Sequence, residues 1–313
     1  MKKFLLFSFG LLAVFFALTF AYDGLNLVLV HSSSGNAAYK MEHFFGELDE
    51  AEIPILGSSR AQANFVPSEL DSRCFNYGID GSPIGETLFQ LRDLVSRKES
   101  GAVLVNVDPW GFTYFDNVTF RGGYLLAAKS RDVRWRLPAG VVNGLSWLPG
   151  VRFQGQLRAN LAAAMNTRLS VTKEIDRGAV LLRTSRTDEE WAFIDKTLKP
   201  TDFGLPSVAC QAMLDEIARI VKTREGRLRV IFVIGPCPPS WCKLFTGGDT
   251  LCKWVKDFNV RMADSHLVVL DLFSNSDYER NEFADPTHLN RDGAVLFSRE
   301  VKRRIFILHG SAQ

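Results

Sequence analysis

The sequence has little net charge, and this shortage excludes one broad class of function. Its 313 residues contain 37 Lys and Arg against 35 Asp and Glu, which gives a formal net charge of +2. Lys2 and Lys3 account for that surplus, and the rest of the chain is balanced. A nucleic-acid-binding protein needs a basic face that displaces counterions from phosphates. The composition therefore argues against a general nucleic-acid binder and predicts no nucleic-acid partner.

Cysteine and histidine are also scarce, with five residues of each. Cys237, Cys242 and Cys252 cluster around one Pro-rich loop. In an oxidising compartment one disulfide among these three is expected, and the alternative is small buried thiols. No histidine lies near them at ligand spacing, so the sequence predicts no metal site.

An apolar run without charge occupies residues 4–22, directly after Lys2 and Lys3. As a helix its 19 residues reach about 28 Å, close to the roughly 30 Å of a bilayer core. We interpret residues 1–23 as an uncleaved signal anchor with a cytoplasmic N-terminus. The alternatives are a cleaved signal peptide, with a weak cleavage pattern at residues 19–21, and a buried N-terminal helix.

This interpretation predicts a single-pass protein of the inner or cytoplasmic membrane. Residues 24–50 are then a stem with a flexible spacer at residues 32–36, and residues 51–313 form the main domain on the periplasmic or extracellular side.

Runs of apolar residues without polar alternation predict buried strands at four places in the main domain. The predicted strands lie at residues 53–56, 102–107, 229–234 and 267–271. Helices are predicted at residues 84–97, 157–169, 208–222, 253–262 and 291–305. Such alternation indicates a doubly wound α/β fold, in which a parallel sheet is flanked by helices in three layers. Ligand sites in this class lie beyond the carboxyl ends of the strands.

Residues 121–206 interrupt this alternation and are rich in basic and aromatic side chains. We interpret them as an insertion over one side of the site. They are expected to pack as a lid on the domain, and the alternatives are a polymer-binding surface or contact with the membrane surface.

Two of the predicted strand-end loops contain the residues of a nucleophilic triad. Gly-Ser-Ser at residues 57–59 follows the first strand, and Asp-Pro-Thr-His at residues 285–288 precedes the last helix. In this interpretation Ser59 is the nucleophile, His288 takes its proton and Asp285 orients the imidazole. Ser58 is the alternative nucleophile. Each motif alone is weak, since a turn serine and a surface histidine are common.

These two motifs resemble those of the SGNH (GDSL-type) hydrolase superfamily, over roughly residues 53–120 and 207–305. The resemblance places the nucleophile at Ser59, with Asp285 and His288 in the last motif. It also implies that the backbone N–H groups of Ser59 and of a glycine after the second strand hold the oxyanion. Gly81 matches that glycine best and Gly78 second.

The third motif of the superfamily, an oxyanion Asn after the third strand, is not matched well. Asn106 is the nearest counterpart, although it falls inside the predicted strand. Asp108 and Trp110 follow Asn106. They are candidates to replace the missing oxyanion donor or to contact the substrate. Arg60 and Asn64, just beyond the nucleophile, are expected on a solvated helix face, and the alternative is contact with the substrate. Loss of one oxyanion donor typically lowers the rate about 100- to 1000-fold.

The Gly-Ser-Ser variant and the N-terminal anchor resemble the membrane-anchored envelope members of the superfamily, such as D-alanyl transfer and alginate O-acetylation proteins. This resemblance implies a serine esterase or O-acyltransferase that acts on an acylated envelope polysaccharide or other ester, beside a membrane-bound O-acyltransferase. No cofactor is implied. The alternatives are a general tethered carboxylesterase or lipase, and a non-catalytic scaffold on the same fold.

Overall fold

The computed structural model divides the chain into two compact units. The first comprises Met1–Leu48 and Phe120–Ser170, and the second comprises Asp49–Thr119 and Val171–Gln313. The structure describes residues 2–46, 48–108, 157–169, 173–197, 201–202, 207–238, 245–246, 253, 256–257, 259–260, 267–273 and 277–310. The predicted insertion at residues 121–206 is thus divided between the two units. Its basic and aromatic residues at positions 131–153 lie outside the described residues.

Helices and strands are numbered here along the chain. The helices are α1 (Lys2–His31), α2 (Ala37–Gly46), α3 (Ser59–Asn64), α4 (Pro67–Leu70), α5 (Ile84–Arg97), α6 (Leu157–Leu169), α7 (Asp188–Thr197), α8 (Val208–Lys222) and α9 (Arg291–Gly310). The strands are β1 (Ile53–Leu56), β2 (Cys74–Asn76), β3 (Gly101–Asn106), β4 (Lys173–Asp176), β5 (Ala179–Leu182), β6 (Thr201–Asp202), β7 (Leu228–Ile234), β8 (Phe245–Thr246) and β9 (Leu267–Asp271).

The second unit is built on a parallel sheet of five strands in the order β2-β1-β3-β7-β9. The central strands β1, β3 and β7 are buried over most of their length, because helices cover both faces of an all-parallel sheet. This confirms the predicted α/β class and its parallel sheet. The order of strands reverses between β1 and β3, and a crevice opens at such a switch point beyond the carboxyl ends of the two strands.

A hairpin from the predicted insertion belongs to this unit. Strands β4 and β5 pair antiparallel, and Ala179 and Leu181 of β5 lie in the core. Trp191 of α7 is also in the core, with 2% of its surface exposed. This part of the insertion therefore packs into the α/β unit.

The first unit begins with α1, which is long and apolar enough to cross a membrane. None of its most apolar eighteen-residue stretch is buried, so the buried-helix alternative is wrong. The signal anchor and the cleaved signal peptide both stay predictions. Beyond the apolar run, α1 continues to His31 and α2 follows.

The predicted flexible spacer at residues 32–36 is a short hydrogen-bonded turn between α1 and α2. The N–H of Asn36 donates to the Ser33 carbonyl at 3.0 Å, and both residues are buried. The stem is therefore helical over most of its length.

Candidate active site

A tight turn joins β1 to α3 and places Ser59 at the start of the helix. Gly57 in this turn has a φ of +142°, and a Cβ atom there would lie 2.8 Å from the Cβ of Ala61 and 2.9 Å from that of Asn106. Only glycine fits both the conformation and this space. Ser58 is the N-cap of α3, and its Oγ accepts the N–H of Arg60 at 3.3 Å. Ser59 is the first helical residue and is partly exposed.

Ser58 and Arg60 both bind Asp108, at the switch point of the sheet. The Ser58 hydroxyl donates to Oδ2 of Asp108, and Nη1 of Arg60 donates to Oδ1 at 3.2 Å. Nη2 of Arg60 donates to the carbonyl of Pro236 at 2.7 Å. This network links the segments that follow β1, β3 and β7.

The side chain of Arg60 is only 2% exposed, and Asn64 is fully buried. The solvated helix face considered for these two residues is therefore wrong. The helix is packed into the domain: the Arg60 guanidinium binds Asp108 and the Pro236 carbonyl, and Oδ1 of Asn64 accepts the N–H of Leu289. Nδ2 of Asn64 is buried and has no hydrogen-bond partner among the described residues. Little of the Arg60 guanidinium is left at the surface for contact with a substrate.

Asn106 is the last residue of β3 and is 2% exposed. Its Nδ2 donates one hydrogen to Oδ1 of Asp108 at 3.1 Å. Its Oδ1 is buried and accepts no hydrogen bond from the described residues. One of the two amide hydrogens that an oxyanion donor would use is thus engaged by a carboxylate. The oxyanion role of Asn106 stays a prediction, and Trp110 lies outside the described residues.

Asp285 and His288 form the hydrogen-bonded pair that the sequence predicts. Nδ1 of His288 lies 2.9 Å from Oδ2 and 3.0 Å from Oδ1 of Asp285. When neutral His288 donates its Nδ1–H to this carboxylate, the lone pair of the ring is on Nε2. That is the tautomer that a general base for a serine hydroxyl needs.

The loop around Asp285 also stabilises its charge. Oδ1 of Asp285 accepts the backbone N–H groups of Thr287, at 2.8 Å, and of His288, at 3.0 Å, as well as the Thr287 hydroxyl at 2.8 Å. Burial by itself would raise the pKa of Asp285, but the hydrogen bond and charge of His288, with the bonds from Thr287, hold it well below its ordinary value. Asp285 therefore stays ionised beside His288.

A buried hydrogen bond connects the histidine loop to the serine helix. The side-chain Oδ1 of Asn64, the last residue of α3, accepts the N–H of Leu289 at 2.9 Å. Helix α3 has six residues and rises about 7.5 Å from Ser59 to Asn64. Ser59 is five residues before Asn64, and His288 directly precedes Leu289, so both lie close in sequence to this hydrogen bond. The structure thus links the two predicted motifs through α3.

The hairpin β4–β5 supports the same loop from the other side. Nδ2 of Asn290 donates to the hydroxyl of Ser185 at 2.7 Å, and Leu182 forms a parallel bridge with Asn290. Arg291 binds Glu174 of β4 at 2.8 Å. These contacts were not predicted, because the partners lie more than a hundred residues apart in the sequence.

Of the two glycines predicted to help hold the oxyanion, Gly78 packs directly against α3. A Cβ atom at Gly78 would lie 2.6 Å from the backbone N of Gln62 and 2.7 Å from the Cβ of Ala61. Gly81 has a φ of +65° and is exposed in the turn before α5. Both lie in the loop after β2, and either assignment stays a prediction.

The described residues contain no group of three or more His, Cys, Asp and Glu side chains that would hold a metal ion. Cys237 is buried, whereas Cys242 and Cys252 lie outside the described residues, so the predicted disulfide stays a prediction.

The chain matches no protein-family model and no curated protein. The resemblance to the SGNH superfamily therefore rests on the sequence motifs at residues 57–59 and 285–288, and membership stays a prediction.

Proposed function

We propose that this protein is a membrane-anchored serine esterase or O-acyltransferase of SGNH type. The observation that carries the proposal is the Asp285–His288 pair at 2.9 Å, joined through Leu289 and Asn64 to the helix that begins at Ser59. A carboxylate that orients a histidine beside a serine on a strand-to-helix turn is the arrangement that acyl transfer requires.

In the first half-reaction, Oγ of Ser59 attacks the acyl carbonyl and passes its proton to Nε2 of His288. The backbone N–H groups of Ser59 and of Gly81 or Gly78 stabilise the oxyanion. The tetrahedral intermediate collapses, and the leaving alcohol takes the proton from His288 while the acyl group stays on Ser59. Asp285 remains ionised and holds the imidazolium in place.

In the second half-reaction, an acceptor hydroxyl gives its proton to His288 and attacks the acyl-serine. The bond between the acyl group and Oγ of Ser59 then breaks, and His288 returns the proton to Ser59. Water as the acceptor makes the protein an esterase, and a sugar hydroxyl makes it a transferase. We infer an acylated envelope polysaccharide as substrate, because α1 would hold the site beside the membrane and outside the cytoplasm. A membrane-bound O-acyltransferase encoded next to this gene would favour the transferase.

Labelling of the full-length protein with a fluorophosphonate probe tests the proposal. We expect the probe to label wild type, and the Ser59→Ala variant to lose all labelling. Ser58→Ala is the matched control, since it removes the neighbouring hydroxyl. It loses a helix cap worth about 1 kcal/mol and the hydrogen bond to Asp108 but keeps the nucleophile, so it should still be labelled. Labelling that survives Ser59→Ala would overturn the assignment.

A non-catalytic scaffold is the second candidate, and the engagement of Asn106 by Asp108 favours it. One amide hydrogen that would stabilise the oxyanion is directed at a carboxylate instead, at 3.1 Å. A scaffold would bind an acylated polysaccharide without turnover. Failure of wild type to react with any fluorophosphonate, combined with measurable polysaccharide binding, would favour this candidate.

A further inference from the structure

The first unit has a buried polar contact between α1 and α6. Nδ2 of Asn160 donates to Oδ1 of Asn26 at 2.9 Å, and Nδ2 of Asn36 donates to Oδ1 of Asn160 at 3.2 Å. The three asparagines are at most 6% exposed. Side-chain amides thus lie in the interior of this small helical unit.

Apolar side chains lie on the outside of the same two helices. Leu25 and Val28, next to Asn26 in α1, are 51% and 70% exposed. Leu161 and Met165 of α6 are 45% and 51% exposed. The last two are four residues apart, so they share one face of α6, whereas Asn160 and the buried Ala164 share the face toward the interior.

On α6 this distribution is the reverse of the one that water selects. Large apolar residues are usually inside a water-soluble unit and amides outside, because burial of apolar surface is favourable and burial of amides needs partners. In a lipid environment the apolar side chains face the acyl chains, and polar side chains join helices by hydrogen bonds in the interior. The reversed pattern on α6 therefore fits lipid better than water.

Helix lengths place this region at the boundary of the bilayer. Helix α1 has 30 residues and reaches about 45 Å, which exceeds a hydrocarbon core of roughly 30 Å. If the apolar run from residue 4 occupies the core, Leu25 and Val28 lie at the level of the headgroups. Helix α6 has 13 residues, or about 20 Å, and is too short to span.

We propose that α6 is a second membrane contact, which lies in the bilayer interface with Leu161 and Met165 inserted among the lipid acyl chains. The proposal rests on the anchoring role proposed for α1. Lipid is the occupant that the pattern favours, because α6 is hydrogen-bonded to α1 through the Asn26–Asn160 contact and both helices expose large apolar side chains. Arg158 is exposed one turn before Leu161, where its guanidinium reaches the headgroups.

Photo-crosslinking of the full-length protein in its membrane tests this contact. A p-benzoylphenylalanine is introduced by amber suppression at Leu161 or Met165, and lipid adducts are detected by intact mass after irradiation. Leu12 in α1 is the positive control, and Val208, which is 90% exposed at the start of α8, is the apolar control in the α/β unit. All four positions are exposed, so the variants should fold, and equal thermal melting confirms this.

We expect lipid adducts at positions 161 and 165 to be comparable with those at position 12 and several-fold more abundant than at position 208. Adducts at position 12 but none above the Val208 background at 161 and 165 would overturn the interfacial contact and leave the anchor intact. A protein adduct in place of lipid at 161 and 165 would overturn it as well. Absence of lipid adducts at position 12 would overturn the anchor together with this proposal.

Discussion

The side chain of Asn64 accepts the backbone N–H of Leu289 at 2.9 Å, and this one bond joins the two halves of the candidate site. Asn64 ends the helix that Ser59 begins, and Leu289 follows His288 directly. The amide is fully buried, so it has no competing water. We therefore regard Asn64 as a positioning residue for the serine–histidine geometry.

Replacement of Asn64 by Ala should lower kcat roughly 10- to 100-fold, because a displacement of about 1 Å has an effect of that size. It should also lower the free energy of unfolding by about 1–3 kcal/mol, since the Leu289 N–H loses its acceptor. Ser298→Ala is the matched control, because the buried Ser298 hydroxyl accepts the N–H of Val66 at 2.8 Å. It should destabilise similarly and keep kcat. Equal loss of kcat in both variants would contradict a positioning role for Asn64.

The ion pair between Arg60 and Asp108 should be important for stability. Their side chains are 2% and 13% exposed, so Asp108→Asn leaves a buried guanidinium without a carboxylate. We expect a loss of about 3–5 kcal/mol in urea unfolding. The double variant Arg60→Met with Asp108→Asn should recover part of this loss, because it removes both charges. Additive losses in the double-mutant cycle would show that the two residues are not coupled.

Asp285→Asn should lower the rate of fluorophosphonate labelling by about 10⁴-fold, because an amide does not hold the imidazole in the required tautomer. The substitution should also change how the free energy of unfolding depends on pH in the acidic range. The pKa of Asp285 is held below its ordinary value, so its stabilising effect is present above about pH 4 and is lost as the pH falls further. Urea unfolding of both proteins from pH 7 to 3 should show the difference between them shrinking below pH 4. A labelling rate like that of wild type would contradict the role of Asp285.

Lys40 of α2 should make the stability of the protein depend on alkaline pH. The side chain is fully buried, and burial lowers its pKa from 10.5 to about 7. Between pH 7 and about 10 the unfolded state therefore binds more protons than the folded state, and stability rises with pH by at most about 1.4 kcal/mol per pH unit.

Lys40→Met should remove this dependence of stability on pH. The control Lys302→Met, at an exposed position, should retain it. Thermal unfolding of the three proteins at pH 7, 8.5 and 10 measures the slopes. Identical pH dependence in wild type and Lys40→Met would contradict the effect of burial.

Four of the five strands of the sheet were predictable because each is a continuous apolar run, whereas β2, which has only three residues, was not among the predicted strands. β1 and β7 are buried over almost their whole length, and their four and seven residues suit a buried strand better than a helix. The dyad was predictable because Asp285 and His288 are three residues apart, so a short loop presents both. Sequence patterns were therefore sufficient to predict the structure where the interacting residues are close in sequence.

The features that were not predicted depend on contacts between residues that are distant in the sequence. Arg60 has a polar side chain on a short helix, and its burial follows from Asp108 and Pro236, which lie 48 and 176 residues away. The hairpin β4–β5 has two short strands within a segment that looked like a covering insertion, and β5 contributes to the core only through tertiary packing. Asn64 looked like a surface residue for the same reason, since its acceptor role requires Leu289.

The central claim is that Ser59 carries the acyl group, and an acid-quenched acyl-enzyme tests it most directly. Full-length protein is mixed with p-nitrophenyl acetate, quenched within the first turnovers and digested for peptide mass mapping. We predict one acetyl group on Ser59 of wild type, none on Ser58, and no adduct in Ser59→Ala or His288→Ala. An acetyl group on another residue that persists in Ser59→Ala, or wild-type hydrolysis without any adduct on Ser59, would contradict the account.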